Sequence, residues 1–314
     1  MKNILCLMCL VLISVFPGYA QKITFSPQWS AQSQFAGYYA ALEKGFYAEA
    51  GLDVSIVHPA NSYSSINMLK DGTSDFITCE LIQAMMASDK GTRLVNLLQT
   101  TQHTTLVLIT HEKDIKLMSD LAGRRIGTWK AGFSEIPTII DLEHNLGIEW
   151  VKFISPLNIY ISGAIDATSG KSYNERILFS MSGVTPGSML RFSEMGYDYP
   201  EDGLYVSEKF FKKNPEQCRK FAEASRKGWE WVRNNRKEAV DIVMKYVKES
   251  NISTNIYVQK WMLEEVLEMQ EDIKGEEPSF ILNENAFYWL NEVMLKHGYL
   301  SRPVDFQRLT GGKK

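Results

Sequence analysis

Residues 29–54 have the sequence WSAQSQFAGYYAALEKGFYAEAGLDV, which indicates a helix that leads into a strand. Five large side chains within it recur at helical spacing, namely Phe35, Tyr38, Tyr39, Leu42 and Phe46. Short apolar runs at residues 23–25 and 52–57 flank this pattern and are typical of strands. A strand, a helix and a second strand in this order predict two parallel strands covered by a helix.

The same alternation continues along the chain as far as Asn214. Strands are predicted at residues 75–79, 94–98, 105–110, 125–129 and 150–154, and helices at residues 62–70, 80–90, 134–146, 159–165 and 173–181. Beyond Asn214 long amphipathic helices are predicted at residues 215–234, 236–247, 254–271 and 284–297. The chain is therefore predicted to belong to the α/β class, with parallel sheets and a helical C-terminal part.

The N-terminal segment, residues 1–20, has the layout of a secretory signal peptide. Lys2 supplies a positive charge, residues 4–16 form a short apolar core, and small residues at positions 18 and 20 follow Pro17. This apolar core is too short to span a bilayer comfortably, which takes about 20 residues. We predict cleavage after Ala20 and export of the remaining chain to the periplasm.

The cysteines argue against a lipid anchor and against a disulfide scaffold. Cys6 and Cys9 lie inside the apolar core rather than after it, so lipoprotein processing is disfavoured and the exported protein is expected to be free. Export leaves Cys79 and Cys218, which are too few for a disulfide framework and lack metal-ligand spacing. Whether these two thiols form a single bridge stays open at this point.

Composition and motifs exclude several other classes of protein. The net charge of −3 and the lack of a basic stripe argue against nucleic acid as a partner. The five histidines have no HExxH spacing, and the sequence has no nucleophile elbow, phosphate loop or dinucleotide motif. We predict a monomeric, non-enzymatic protein without metal or cofactor. Catalytic residues that meet only in space stay an alternative.

Three segments of the chain resemble a known family. Residues 29–54 join an aromatic-rich helix to Lys44-Gly45-Phe46-Tyr47 and Gly51-Leu52-Asp53-Val54. Together with residues 121–127 and 214–243, they resemble the ABC-transporter solute-binding proteins for thiamine-pyrimidine precursors and alkanesulfonates. The fungal hydroxymethylpyrimidine phosphate synthases share the fold of that family.

The resemblance implies a type II periplasmic-binding-protein fold, in which two α/β lobes are joined by two crossover strands. Lobe one would combine residues 21–108 with 204–314, and lobe two would comprise residues 109–203. The crossovers would lie at residues 104–110 and 203–206. A ligand would bind between the lobes, and closure of the lobes would present a new surface to the ABC permease subunits.

The chain departs from the synthase branch of this family. By the resemblance, Gln83 and Cys79 occupy the places of that branch's substrate histidine and of its lysine for pyridoxal phosphate. Residues 196–203 contain no cysteine where the branch has a cysteine-rich run. The synthase chemistry is therefore not expected, and neither is its cofactor.

Ligands of open α/β sheets bind beyond the carboxyl ends of the strands, and this rule selects several loops. Trp29 follows the first strand in a polar setting, so its ring is expected to stack on a flat ligand. Glu80 and His103 follow later strands and are further candidates, although Glu80 also fits an acid at the start of a helix.

The loop between the strand at 125–129 and the following helix is a second candidate region. Trp129, Gly132 and Phe133 lie there, and backbone amides at a helix start can hold a polar or anionic group. The alternative for Trp129 is a core position at the end of its strand.

Tyr173-Asn174-Glu175 resembles a Tyr-Asn-Glu step that contacts the ligand in the pyrimidine-binding branch. A buried carboxylate there would accept a charge-assisted hydrogen bond from an exocyclic amine, although an acid at a helix start is the alternative. Tyr38 is a further aromatic candidate, with a core position as its alternative.

These observations predict capture of a thiamine-related pyrimidine, or a similar flat polar heterocycle, for an ABC importer. An alkanesulfonate or another small anion is the alternative, and it would favour a basic, serine-rich cleft. Further alternatives are a ligand-sensing protein that docks on a membrane receptor and a synthase-like enzyme.

Overall fold

The computed structural model describes residues 21–60, 63–129, 133–153 and 157–312. The predicted signal peptide with its cleavage site, Cys6, Cys9 and Gly132 lie outside the described residues. Cys79 and Cys218 are both buried, and no disulfide joins them.

The described strands are β1 (Gln21–Ser26), β2 (Leu52–Ile56), β3 (Phe76–Glu80), β4 (Leu94–Gln99), β5 (Leu106–Thr110), β6 (Arg125–Trp129), β7 (Glu149–Phe153), β8 (Ala167–Lys171), β9 (Met189–Arg191) and β10 (Asp202–Ser207). They form two five-stranded sheets. The first sheet has the order β2-β1-β3-β10-β4, and the second has the order β7-β6-β8-β5-β9. The predicted α/β class with two sheets is confirmed.

The helices are α1 (Ala36–Glu43), α2 (Phe46–Glu49), α3 (Ser65–Lys70), α4 (Leu81–Asp89), α5 (Glu135–His144), α6 (Leu157–Ile161), α7 (Glu175–Met181), α8 (Glu208–Lys213), α9 (Pro215–Asn234), α10 (Arg236–Glu249), α11 (Ile256–Met269), α12 (Glu284–Lys296) and α13 (Phe306–Leu309). The predicted helical C-terminal part is confirmed. The helix expected over residues 35–46 is divided because Gly45 adopts a left-handed conformation, with φ of 79°.

Each sheet is mixed rather than parallel. Strands β1, β2 and β3 are parallel, but β10 runs antiparallel to both of its neighbours. In the second sheet β5 runs antiparallel to β8 and β9. These strands enter their sheets directly from the other sheet, and without a crossover helix nothing requires a parallel orientation.

Strand β8 is one of the elements that the sequence pattern did not predict, together with β9, α8 and α13. Its sequence, Ala-Thr-Ser-Gly-Lys, has no apolar run, yet all five residues are buried between β6 and β5. The Ser169 hydroxyl donates to Thr128 Oγ1 on β6 at 3.2 Å, so polar side chains are satisfied inside the sheet. The helix predicted at residues 159–165 ends earlier, at Ile161, which leaves room for this strand.

The chain crosses between the sheets twice, after β4 and after β9, and the two crossing segments are bonded to each other. His103 Nδ1 lies 2.6 Å from Asp198 Oδ2. The hydroxyls of Thr104 and Thr105 donate to the two carboxylate oxygens of Glu201 at 2.7 and 2.6 Å. These bonds define the joint between the two halves, while the exact lobe boundaries stay a prediction.

Helix α12 adds a further link across this joint. Glu143 on α5 accepts hydrogen bonds from Lys296 Nζ at 2.6 Å, His297 Nε2 at 3.0 Å and the Tyr197 hydroxyl at 2.9 Å. The bonds from Lys296 and His297 lower the pKa of Glu143 to about 2. The C-terminal helices are therefore tied to the second sheet's layer as well as to the first.

The first sheet is covered where α1 crosses α9 at a pair of glycines. A Cβ atom on Gly228 would overlap the carbonyl oxygen of Gly37 and lie 2.8 Å from the Cβ of Ala41. A Cβ on Gly37 would overlap the ring of Trp229, which is 1% exposed. The two helix backbones can approach this closely only because both positions lack a side chain.

We expect Gly228→Ala to destabilise the protein by about 3 kcal/mol, because the new methyl group overpacks against the backbone of α1. Helix propensity alone predicts the opposite sign, a gain of about 1 kcal/mol for alanine over glycine. Urea unfolding of the chain that starts at Gln21 measures the difference. Lys227→Ala on the exposed side of the same helix is the control, and a Gly228→Ala protein as stable as the parent would contradict the proposed crossing.

Candidate functional site

A cavity of about 200 Å³ lies between the two sheets. Six residues predicted from the sequence as ligand contacts line it, namely Trp29, Trp129, Phe133, Tyr173, Asn174 and Glu175. They come from separate parts of the chain: the loop after β1, the end of β6, the start of α5 and the start of α7. The fold therefore brings these candidates into one place.

One wall of the cavity is aromatic. Trp29 is 40% exposed, and its ring centroid lies 5.8 Å from that of Phe133 at an interplanar angle of 24°. The Trp129 ring lies 6.5 Å from Trp29 on the same side. The first sheet thus contributes one ring and the second half contributes two, which gives a flat ligand a surface to stack on.

His58 holds the backbone at Trp29. Its Nδ1 donates to the Trp29 carbonyl oxygen at 2.5 Å, and its Nε2 accepts from the Tyr39 hydroxyl at 3.0 Å. Burial lowers the pKa of His58, which keeps the ring neutral and able to both donate and accept. The indole is therefore positioned by a hydrogen-bonded chain that begins in the core of the first sheet.

The opposite wall contains the Glu175 carboxyl group, which is 1% exposed. Its Oε2 accepts from the backbone N–H of Lys171 at 2.6 Å, and its Oε1 accepts from Asn174 Nδ2 at 3.2 Å. Burial raises the pKa of Glu175, and the Lys171 amide opposes that rise. Gly170 makes room for this carboxyl group, because a Cβ there would lie 2.6 Å from Glu175 Cγ.

Lys171 connects the two halves immediately behind the cavity. It ends β8 of the second sheet, and its Nζ lies 2.7 Å from Glu80 Oε1 and 2.8 Å from Glu201 Oε1. Glu80 ends β3 of the first sheet, and Glu201 precedes β10. The ammonium also lies 4.9 Å from the centroid of Phe133, so it contacts the aromatic wall as well.

Acidic groups outnumber basic groups around this lysine. The buried carboxyl groups of Glu80, Glu175, Glu201 and Asp202 surround the single ammonium of Lys171. Burial raises the pKa of Glu80, which Lys171 opposes, and burial likewise raises the pKa of Asp202. Burial opposes the charge on Lys171, but Glu201 and Glu80 raise its pKa above the usual range. A site of this kind favours hydrogen-bond donors or cations over anions.

Asp202 is satisfied by two amides of the first half. Gln28 Nε2 donates to Asp202 Oδ1 at 2.7 Å, and Gln34 Nε2 donates to Asp202 Oδ2 at 2.5 Å. These bonds fix the side chains of two glutamines, one before and one after Trp29 in the chain. The aromatic wall and the buried charges are thus parts of one connected network.

The remaining sequence candidates lie elsewhere. Tyr38 is packed in the core, 4.7 Å from the ring of Phe25 and 5.9 Å from that of Trp229. Glu80 belongs to the ion cluster behind the cavity, and His103 pairs with Asp198 in the joint. Lys171 was missed, because a lysine in a strand without an apolar pattern gives no signal of burial.

Two further properties of the described residues concern their chemistry and location. They include no group of three or more His, Cys, Asp or Glu side chains arranged to hold a metal ion. Within the described part of the chain, no helix has both the length and the apolarity needed to cross a membrane.

The fold is that of the type II periplasmic binding proteins, in which two α/β halves face each other across a ligand site. Residues 32–239 match the family described as NMT1/THI5 like, and the chain belongs to that family.

Several characterised proteins are similar to the chain in sequence. It is 23% identical to the riboflavin-binding protein RibY of Chloroflexus aurantiacus, over 92% of this chain and 84% of the relative. It is 25% identical to a formylaminopyrimidine-binding protein of Halalkalibacterium halodurans, over 88% and 85%. It is 26% identical to the 4-amino-5-hydroxymethyl-2-methylpyrimidine phosphate synthase THI5 of Saccharomyces cerevisiae, over 67% of each chain.

Solved structures show the same fold at lower identity. The ligand-binding component of an ABC-type import system from Staphylococcus aureus superposes with a TM-score of 0.68 at 13% identity, over 92% of this chain and 96% of that one. The periplasmic aliphatic sulphonate-binding protein SsuA of Escherichia coli superposes with a TM-score of 0.64 at 14% identity, over 93% and 99%.

We expect Lys171→Met to destabilise the protein by about 3 kcal/mol at pH 7, because Glu80 and Glu201 would remain buried without their cation. The loss should shrink as the pH falls towards 5. Burial already raises the pKa of Glu80, and in the variant this group can take up a proton to relieve the uncompensated charge.

Urea unfolding at pH 7 and pH 5 measures both effects. Lys260→Met replaces an exposed lysine on α11 and serves as the control, which should change stability little at either pH. A Lys171→Met protein that is as stable as the parent at pH 7 would show that the ion cluster does not hold the halves together.

Proposed function

We propose that this chain is the extracytoplasmic solute-binding protein of an ABC importer. Its ligand is a flat, amine-bearing heterocycle such as a thiamine-related pyrimidine, held in the cavity between the two sheets. The observation that carries the proposal is the pairing of an exposed indole, Trp29, with a buried carboxyl group, Glu175, across a cavity of about 200 Å³.

The two walls of the cavity suit two parts of such a ligand. The ring stacks on Trp29, which contributes about 0.5–1.5 kcal/mol beyond simple burial. The exocyclic amine donates to Glu175, and the side-chain amide of Asn174 lies beside that carboxylate to accept or donate a second bond. The site thus favours ligands that are flat and that carry hydrogen-bond donors.

The ion cluster argues for this ligand over a sulfonate. An anion in the cavity would lie next to Glu175 and near the carboxylates of Glu80 and Glu201, with Lys171 already engaged by the latter two. Like charges in a low-dielectric site repel strongly. The structural similarity to a sulphonate-binding protein, at 14% sequence identity, concerns the fold alone.

The partners and location follow from the same proposal. In this proposal residues 1–20 act as a secretory signal peptide, and the exported chain works as a monomer. Closure of the two halves on the ligand presents a composite surface to the permease subunits. Gln83 and Cys79 stand where the related synthases carry their reactive histidine and lysine, so binding without turnover is proposed, with neither metal nor cofactor.

A ligand screen tests the proposal directly. We expect aminopyrimidines to raise the melting temperature of the chain that starts at Gln21, by an amount that corresponds to about 2.7 kcal/mol at a hundredfold excess over Kd. The panel includes thiamine, riboflavin and alkanesulfonates. A shift with sulfonates and none with heterocycles would refute the ligand assignment. If pyridoxal phosphate forms a Schiff base with the protein, seen as an absorbance band, the expectation of binding without synthase chemistry is wrong.

Two substitutions test the walls of the cavity. Trp29→Ala should weaken binding of the strongest heterocycle about tenfold by removing the stacking surface, and Glu175→Gln should weaken it at least tenfold by removing a charge-assisted bond. Isothermal titration calorimetry gives the affinities. Trp261→Ala on α11, where the indole is 44% exposed against 40% for Trp29, and Glu149→Gln on β7 are controls outside the cavity. Unchanged affinity in both cavity variants would place the ligand elsewhere.

A further inference from the structure

A wider cleft adjoins the cavity on the other side of Trp29. It has a volume of about 970 Å³, and Trp29 and Ser30 line both spaces. Gln28 of the first half and Glu135 at the start of α5 both belong to its lining. The cleft therefore continues the cavity and is bounded by both halves of the molecule.

The side-chain oxygen of Gln28 is a hydrogen-bond acceptor that receives no bond from the described residues. The residue is 9% exposed, and its Nε2 is committed to Asp202. The amide cannot be turned around, because its oxygen would then face a carboxylate that can only accept. Gln28 Oε1 is thereby fixed, and it has no hydrogen-bond partner among the described residues.

Glu135 presents a second such acceptor from the opposite half. It is 7% exposed, and its Oε2 likewise has no partner in the described part of the chain. Lys152 and Lys90, which also line the cleft, act on this carboxylate only through longer-range attraction. An unsatisfied buried acceptor costs about 1–3 kcal/mol, so two of them in one cleft call for a donor from outside the chain.

The volume of the smaller cavity also indicates that a larger ligand would extend into the wider cleft. A cavity of about 150 Å³ is sufficient for a benzene ring, so a space of about 200 Å³ holds one ring with small substituents. Anything larger on the ligand has to pass Trp29 and Ser30 into the wider cleft.

We propose that the ligand carries a hydroxylated or amine-bearing substituent that extends past Trp29 and donates hydrogen bonds to Gln28 Oε1 and Glu135 Oε2. This inference rests on the proposed function, since it assigns the second part of the same ligand. Both oxygens are shielded from solvent in this structure, so the cleft widens before the substituent enters. A substituent bonded to both residues joins the two halves and favours their closure on the complete ligand.

Matched ligand pairs test the inference. One pair is 4-amino-5-(3-hydroxypropyl)-2-methylpyrimidine and 4-amino-2-methyl-5-propylpyrimidine, whose substituents are longer than those a cavity for one ring holds. The other pair is riboflavin and lumiflavin; within each pair the ring system is shared and only one member carries hydroxyl groups. For whichever ring binds, we expect the hydroxylated member to bind at least fivefold more tightly. Calorimetric titration of all four compounds measures the ratio.

Substitution of Glu135 separates this subsite from the ring site. Glu135→Met removes the acceptor at similar length, so it should abolish the preference for the hydroxylated member while leaving the bare ring's affinity unchanged. Glu135→Gln retains one acceptor oxygen and should keep most of the preference, and Glu149→Gln on β7 is the control outside the cleft. Circular dichroism and the melting temperature establish that each variant is folded.

The outcomes distinguish the two proposals. If a ring binds but its two members bind equally, or if Glu135→Met leaves their ratio unchanged, the substituent subsite is refuted and the proposed function stands. If none of the four compounds binds, the proposed ligand class is refuted and the subsite falls with it.

Discussion

The contact of Lys171 with Glu80 and Glu201 is the interaction on which the rest of the structure depends. It joins the end of β8 in the second sheet to the end of β3 and the start of β10 in the first. Buried charges are costly unless they are paired, so this contact constrains how the two halves can meet. The cavity lies directly against it, because Lys171 also lines that space.

The same contact shapes the chemistry of the site. One ammonium among several buried carboxyl groups leaves the region short of positive charge and of hydrogen-bond donors. The backbone N–H of Lys171 donates a hydrogen bond to Glu175. Gln28 and Gln34, which stand before and after Trp29 in the chain, donate hydrogen bonds to Asp202. A donor-bearing ring and a donor-bearing substituent would therefore complete two adjacent parts of one network, on the two sides of the Trp29 indole.

Much of the fold could be predicted because its helices are amphipathic and because strands such as β4 and β5 are apolar runs. The pattern over residues 215–234 predicted α9 with both of its ends, and the grouping of Trp29 with residues 173–175 followed from the strand-end rule together with a family resemblance. Strand β8 could not be predicted, since its buried Thr, Ser, Gly and Lys side chains carry no apolar signal. Tyr38 shares the aromatic character of Trp29, but only packing against Phe25 and Trp229 distinguishes a core ring from a cavity ring.

The sequence by itself determined the α/β class, the helical C-terminal part, the absence of familiar catalytic motifs and the set of strand-end residues from which the cavity is drawn. These properties depend on local periodicity and on residue type, which are readable along the chain. Tertiary packing alone buries Lys171 among carboxyl groups, places Glu80 behind the site and leaves Gln28 Oε1 and Glu135 Oε2 without a hydrogen-bond donor among the described residues. Those facts depend on which side chains from distant segments meet across two sheets, and hydrogen-bond satisfaction can be assessed only once they have met.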